Sequence, residues 1–137
     1  MVTEMLEVGD VMTPKVITED EETRVTKLSK DMELAGIGSV VITKDGKPVG
    51  IVTDRDIALK NFASKRNPSE VQAKEIMSSP LITIEPDVSL EKACELMTDR
   101  GIRRLPVMED DKLVGIISLR NILTRSPACV HKFYPTE

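Results

Sequence analysis

Thr53 and Asp56 stand three positions apart at the end of an apolar run, Gly50-Ile51-Val52-Thr53-Asp54-Arg55-Asp56. The arrangement returns 65 residues later as Gly115-Ile116-Ile117-Ser118-Leu119-Arg120-Asn121. A hydroxyl residue between a strand and a helix gathers a side-chain oxygen and several unpaired backbone N–H groups in one place. Such a group has two uses. It can close the helix end, since Thr53 with an acid three residues on fits a capping box. It can also hold the polar part of a ligand.

The elements that would position these residues are legible around them. In order, Val8 to Pro14 reads as a short helix or turn and Val16-Ile17-Thr18 as a brief strand. Glu19 to Glu22 is an acidic loop. Thr23 is expected to cap a helix over 24–35, with Val25, Leu28, Met32 and Ala35 on its inner face and Gly36 ending it. Ser39 to Thr43 and Pro48 to Val52 are strands joined by a tight Asp45-Gly46 turn. The helix after Thr53 turns Ile57 inward, and Phe62 with it. Residues 59–72 are polar and read as a linker. The order then repeats: a strand over Leu81 to Ile84, and a helix capped by Ser89 with Leu90, Ala93, Cys94 and Met97 inward, closed by Gly101. Strands over Arg104–Met108 and Leu113–Ile117 follow, and a last helix starts at Leu119. Met12 and Met77, Met32 and Met97, and Gly36 and Gly101 are all 65 residues apart, with no gap. Two ungapped copies of β-α-β-β-α predict an α/β (α+β) fold with pseudo-twofold symmetry. The copies span 8–58 and 73–123, followed by a tail over 124–137.

Composition narrows the function. The 137 residues carry a net charge of −4, which argues against a general nucleic-acid binder. With two Phe, one Tyr and no Trp, the core must be Val, Ile, Leu and Met. No apolar run reaches the ~18 residues of a membrane span. The start of the chain has no basic-then-apolar pattern, so no signal peptide is expected. Cys94 and Cys129 lack metal spacing, His131 has no partner at catalytic or metal spacing, and no metal site is expected. A cytoplasmic, reduced protein with Cys94 as a small core residue is the expectation.

The pattern resembles a tandem pair of CBS domains, the regulatory module first named after cystathionine β-synthase. The residues behind the resemblance are Asp10-Val11-Met12-Thr13-Pro14 and Glu75-Ile76-Met77-Ser78-Ser79-Pro80 opening the copies. Gly101-Ile102-Arg103-Arg104-Leu105-Pro106-Val107 precedes the second hairpin, and the Gly-x-x-Thr/Ser-x-x-Asp/Asn segments close the copies. The resemblance covers residues 8–123. It implies a two-copy disc, usually a homodimer, whose clefts between copies bind adenosine ligands: AMP, ADP, ATP, S-adenosylmethionine, and in some members NAD. Such modules regulate attached or partner proteins and do no chemistry, so no enzyme and no required cofactor are expected.

Carried onto this chain, the resemblance gives one well-equipped site. Asp56 suits the two ribose hydroxyls, because a carboxylate offers two acceptor oxygens. Thr53 adds a hydroxyl near ribose or phosphate. Ile51, Leu81, Ile82, Ile102 and Pro106 would form an aliphatic slot for adenine, although such residues serve equally as plain core. Arg103 and Arg104 would meet phosphates, where a guanidinium bonds two oxygens at once. Neighbours in a strand face opposite ways, so one of the two is expected to pair with Asp99 or Glu109 instead. A weaker second site would use Ile17, Ile37, Ile116, Ser118 and Asn121. There Gly38 and Ser39 replace the arginines, so a phosphate would lack a cation. The leading reading is a stand-alone nucleotide sensor acting on a separate effector. The alternative is a structural dimerisation module without a ligand.

Overall fold

The computed structural model describes residues 5–126 and 129. The chain forms two compact units, one of residues 17–81 and the other of residues up to 16 together with those from 82 onward. Neither unit is a sequence repeat. Each holds one repeat's hairpin and helices together with the opening segment of the other repeat.

In the unit 17–81, β1 (Thr18–Asp20) runs parallel to β2 (Ser39–Lys44), which pairs antiparallel with β3 (Lys47–Thr53). Asp45 and Gly46 take φ of 52° and 79°, the left-handed pair that a two-residue hairpin turn needs. α2 (Val25–Ala35) turns Val25, Leu28 and Met32 onto Val40, Ile42 and Val52 of the sheet. Gly36 ends it with φ 65°. The core is completed by α4 (Ala73–Ile76), which opens the second sequence repeat yet buries Ala73 and Ile76 here.

In the other unit, β4 (Arg104–Glu109) and β5 (Lys112–Ser118) form an antiparallel hairpin. α5 (Leu90–Arg100) and α6 (Leu119–Arg125) bury Leu90, Ala93, Cys94, Met97, Leu119 and Ile122 with Leu105, Val107 and Ile117. α1 (Val8–Val11), from the start of the chain, belongs to this core through Val8, whose N–H donates to the carbonyl of Val88 at 2.8 Å.

One rule explains both motif glycines. The opening segment crosses the closing strand at Gly50 and at Gly115. A Cβ on Gly50 would lie 2.6 Å from the Met77 sulfur and 3.0 Å from the Ser78 carbonyl oxygen. A Cβ on Gly115 would lie 2.9 Å from the Thr13 carbonyl oxygen and against Met12. Backbone bonds then fix each crossing: Ser78 N–H to Ile51 O at 2.8 Å, and Thr13 N–H to Ile116 O at 2.8 Å.

Several local expectations are corrected. β1 begins at Thr18 rather than Val16, because its pairing with Val41–Thr43 sets the register. Thr23 does not cap α2. Arg24 is the cap residue, and the first helical amide, Val25 N–H, is satisfied by the carbonyl of Val71. Ala35 is exposed. Residues 81–84 form no strand; Ile84 alone makes a parallel bridge to Val107. Phe62 is 84% exposed. After α3 (Asp54–Asp56) the backbone widens into a π-helical turn over Ile57–Asn61, and the extra residue shifts the helical phase so that Asn61 turns inward and Phe62 outward. Cys94 and Cys129 are not two free thiols: they are joined by a disulfide. Apart from Ser126 and Cys129, the tail expected beyond α6 lies outside the described residues.

Candidate functional site

The capping box read from Thr53 and Asp56 is present. Asp56 N–H donates to Thr53 Oγ1 at 3.1 Å, and Thr53 N–H donates back to Asp56 Oδ2 at 2.9 Å. β3 delivers Thr53 to this point opposite Ser39, and Ile51 lies beside it opposite Val41. Asp56 is only 8% exposed, so its carboxylate needs partners. Thr53 Oγ1 supplies one on Oδ2 at 3.1 Å. Lys60 Nζ, one helical turn on, pairs with Oδ1 at 3.1 Å. Ser78 Oγ donates to Oδ1 at a longer 3.3 Å.

Lys60 and Ser78 were missed by the reading from sequence. Ser78 had a signal: the hydroxyl after each motif methionine, Thr13 and Ser78, repeats at the same 65-residue offset. Lys60 had one too: it follows Asp56 by four residues, the spacing at which an acid and a base meet on one helix face. Lys60 also donates to the carbonyl of Ile76 at 3.1 Å, so it ties Asp56 to the opening segment.

Ser118 and Asn121 repeat the box in the other unit. Asn121 N–H donates to Ser118 Oγ at 3.1 Å, and Ser118 N–H donates to Asn121 Oδ1 at 3.0 Å. The amide thus closes the helix as the acid does. Within its own unit Ser118 has cations beside it. The β4–β5 register sets Arg104 opposite Ser118, and Leu119 N–H donates to the Arg103 carbonyl at 2.8 Å. Arg103, Arg104 and Arg120 line one cavity of about 390 Å³ with Ser118, Leu119, Leu123 and Thr124. Both neighbouring arginines reach it because Arg103 precedes the strand and so escapes its alternation. Arg120 was not singled out from sequence.

Among the other expected contacts, Ile17, Ile37 and Leu81 are half-buried in the unit 17–81, and Ile82, Ile102 and Ile116 are half-buried in the other. Pro106 is buried and pairs with Ile116 across the hairpin.

The shifted carboxyls lie elsewhere. Glu19 is raised by a hydrogen bond with Asp31 and by burial, while the same hydrogen bond lowers Asp31, so the two compete for one proton beside Lys27. Glu75 is lowered by the Gln72 amide, which donates to it at 2.7 Å, and then by Arg66 at 2.6 Å. No group of three His, Cys, Asp or Glu suited to a metal ion occurs among the described residues. No described helix is long and apolar enough to cross a membrane.

These features have counterparts in known proteins. A family model described as the CBS domain matches residues 8–60 and again 73–128. Protein MK0525 of Methanopyrus kandleri is 42% identical over 90% of this chain, which spans 64% of that protein's length. The CBS domain-containing protein YhcV of Bacillus subtilis is 35% identical, with 86% of this chain matching 84% of it. Among solved structures, the CBS domain pair of protein MJ0100 superimposes with a TM-score of 0.79 at 26% identity, covering 91% of this chain and 98% of that one. That structure is a complex with 5′-methylthioadenosine and S-adenosyl-L-methionine.

Proposed function

We propose, from the premise that this chain belongs to the CBS-domain family, that it is a regulatory module whose ligand contains adenosine. AMP, ADP, ATP and S-adenosylmethionine are the candidates. The observation that carries the reading is the buried Asp56 carboxylate with Thr53 and Ser78 hydroxyls around it. Oδ2 is committed to closing the helix, while Oδ1 is held by the exchangeable groups of Ser78 and Lys60. Ribose hydroxyls would replace the longer Ser78 contact. The adenosine complex of the MJ0100 pair supports the ligand class.

Ile51, Leu81, Ile82, Ile102 and Pro106 are proposed to hold adenine. Arg103 and Arg104, joined by Arg120, are proposed to bind phosphate or carboxylate groups. Ile17, Ile37, Ile116, Ser118 and Asn121 form the proposed second set. Ligand binding would bias a two-state arrangement read by a separate effector, with regulation rather than catalysis as the output.

A thermal-shift panel of the four ligands and NAD tests this. Ligand at about 100-fold its dissociation constant should add roughly 2.7 kcal/mol. Asp56→Asn is the control of choice. Asn121 closes its own helix with the same pair of bonds, so the variant keeps the cap while losing the charge and its ion pair with Lys60. Its affinity should fall about tenfold or more, the worth of a charge-assisted hydrogen bond. A flat panel on the wild type would remove the sensor reading.

One observation favours the alternative of a self-associating module. Leu34, Leu59 and Phe62, all in the unit 17–81, are exposed large apolar side chains. That reading predicts a homodimer by light scattering whose mass and melting temperature no nucleotide alters.

A further inference from the structure

We propose that the unit 17–81 carries a further ligand site, a pocket at the π turn that takes a small organic anion with an aromatic body and a hydrogen-bond donor. The pocket is a cavity of about 550 Å³, within the roughly 300–1,000 Å³ usual for small-molecule sites. It is separate from the Asp56 carboxylate and its partners, since none of Thr53, Asp56, Lys60 and Ser78 lines it. Ser29 of α2 forms one side, the π turn Ile57–Asn61 another and the segment 62–68 the third. All three lie in one unit.

Asn61 is the reason to assign a ligand. It lines the cavity and is only 3% exposed. Its Nδ2 donates to the Arg66 carbonyl at 3.1 Å, which fixes the orientation of the amide. The opposite end, Oδ1, is buried and accepts no hydrogen bond from any described residue. A buried acceptor without a donor destabilises a fold, and native structures rarely keep one. The other such atom among the described residues, Asp31 Oδ2, belongs to a carboxylate that Lys27 already pairs at 2.6 Å. Asn61 has no such compensation. It points inward because of the extra residue in the π turn, and single turns of this kind recur at functional sites.

The rest of the lining sets the chemistry of the ligand. Ile57, Phe62, Ala63 and Pro68 give apolar walls, and the Phe62 ring, 84% exposed, is available to stack on another ring. Two cations also line the cavity. Arg66 is paired with Glu75 at 2.6 Å, so its charge is answered. Lys65 pairs with no carboxylate among the described residues. A fitting ligand therefore brings a hydroxyl or N–H for Asn61 Oδ1, a ring for the apolar walls and a carboxylate for Lys65.

The probe is para-hydroxyphenylacetate, which has all three parts. Phenylacetate lacks the donor, and tyramine carries an ammonium in place of the carboxylate. Each is titrated into the isotopically labelled full chain, and amide shifts are followed by NMR with no nucleotide present. The expected result is saturable shifts at residues 57–68 and at the Asn61 side-chain amide with para-hydroxyphenylacetate. Phenylacetate should bind about two- to tenfold more weakly, the worth of one neutral hydrogen bond, and leave the Asn61 side-chain amide unshifted. Tyramine should also bind more weakly, and Lys65→Glu, a substitution at an exposed position, should invert its order with para-hydroxyphenylacetate. Equal binding of the two acids, an order unchanged by Lys65→Glu, shifts centred on 103–124 or on Thr53 and Asp56, or no saturable shift would each overturn the proposal. Shifts at 57–68 that follow protein concentration rather than probe would give the pocket to a second copy of the chain and overturn it as well. No readout depends on whether adenosine ligands bind, so this site and the proposed adenosine site fail or stand separately.

Discussion

The Gly-x-x-Thr/Ser-x-x-Asp/Asn segment is explained residue by residue. Gly50 is small because Met77 and the Ser78 carbonyl cross over it, and Thr53 and Asp56 close a helix by reciprocal bonds. Gly50→Ala should therefore cost about 1–3 kcal/mol, the usual effect of overpacking, in a denaturant titration. Gly36→Ala fills open space and is penalised only by its left-handed φ, at about 1 kcal/mol. A smaller loss at Gly50 than at Gly36 would show that Met77 simply swings aside. Residues whose reasons are local were legible in the sequence: Gly36 and Gly101 at helix ends, Asp45-Gly46 in the turn, Thr53 and Ser118 at caps. Lys60, four residues after Asp56, carried a helical-spacing signal as well; Arg120 did not, because its place beside Arg103 and Arg104 depends on how α6 follows the hairpin.

At the scale of elements, the four-residue helices α1 and α4 are too short to persist alone and rely on an acid in the first turn, Asp10 or Glu75, that accepts from the cap residue's N–H. In α4, Gln72 N–H donates to Glu75 Oε2 while Arg66 bonds Oε1 at 2.6 Å. These contacts hold the Glu75 carboxyl below its ordinary value of 4.5. A depressed acid stabilises the fold above its unfolded pKa and loses that contribution as pH falls through the folded one. Glu75→Gln keeps a cap oxygen but cannot titrate, so its melting temperature should drop less than the wild type's as pH falls from about 5 to about 3. Parallel curves would assign the acid limb to other carboxyls. The long elements, α2, α5 and both hairpins, followed from hydrophobic periodicity. The short ones did not. β1 slid two residues and 81–84 stayed irregular, since a three- or four-residue segment takes its conformation from its partner strand rather than from its own side chains.

At the scale of the molecule, the repeat fixed at 65 residues was plain in sequence, as was family membership. The joining of Cys94 to Cys129 was invisible there, since nothing local links residues 35 apart. Also hidden was which opening segment completes which core. Val8 and Met12 pack with the second repeat's helices, while Ala73, Ile76 and Met77 pack with the first repeat's. What was duplicated is thus not what folds. A fragment cut at the homology boundaries, 8–60, carries a lead that belongs elsewhere and lacks Val71, Ala73 and Ile76, so it should give no cooperative melt by circular dichroism. A fragment over 17–81 holds a complete core in one uninterrupted stretch and should melt cooperatively. Neither ancestral half could have been self-sufficient in its present form. Each lends its neighbour the first piece, and this mutual debt keeps the halves inseparable as a pair.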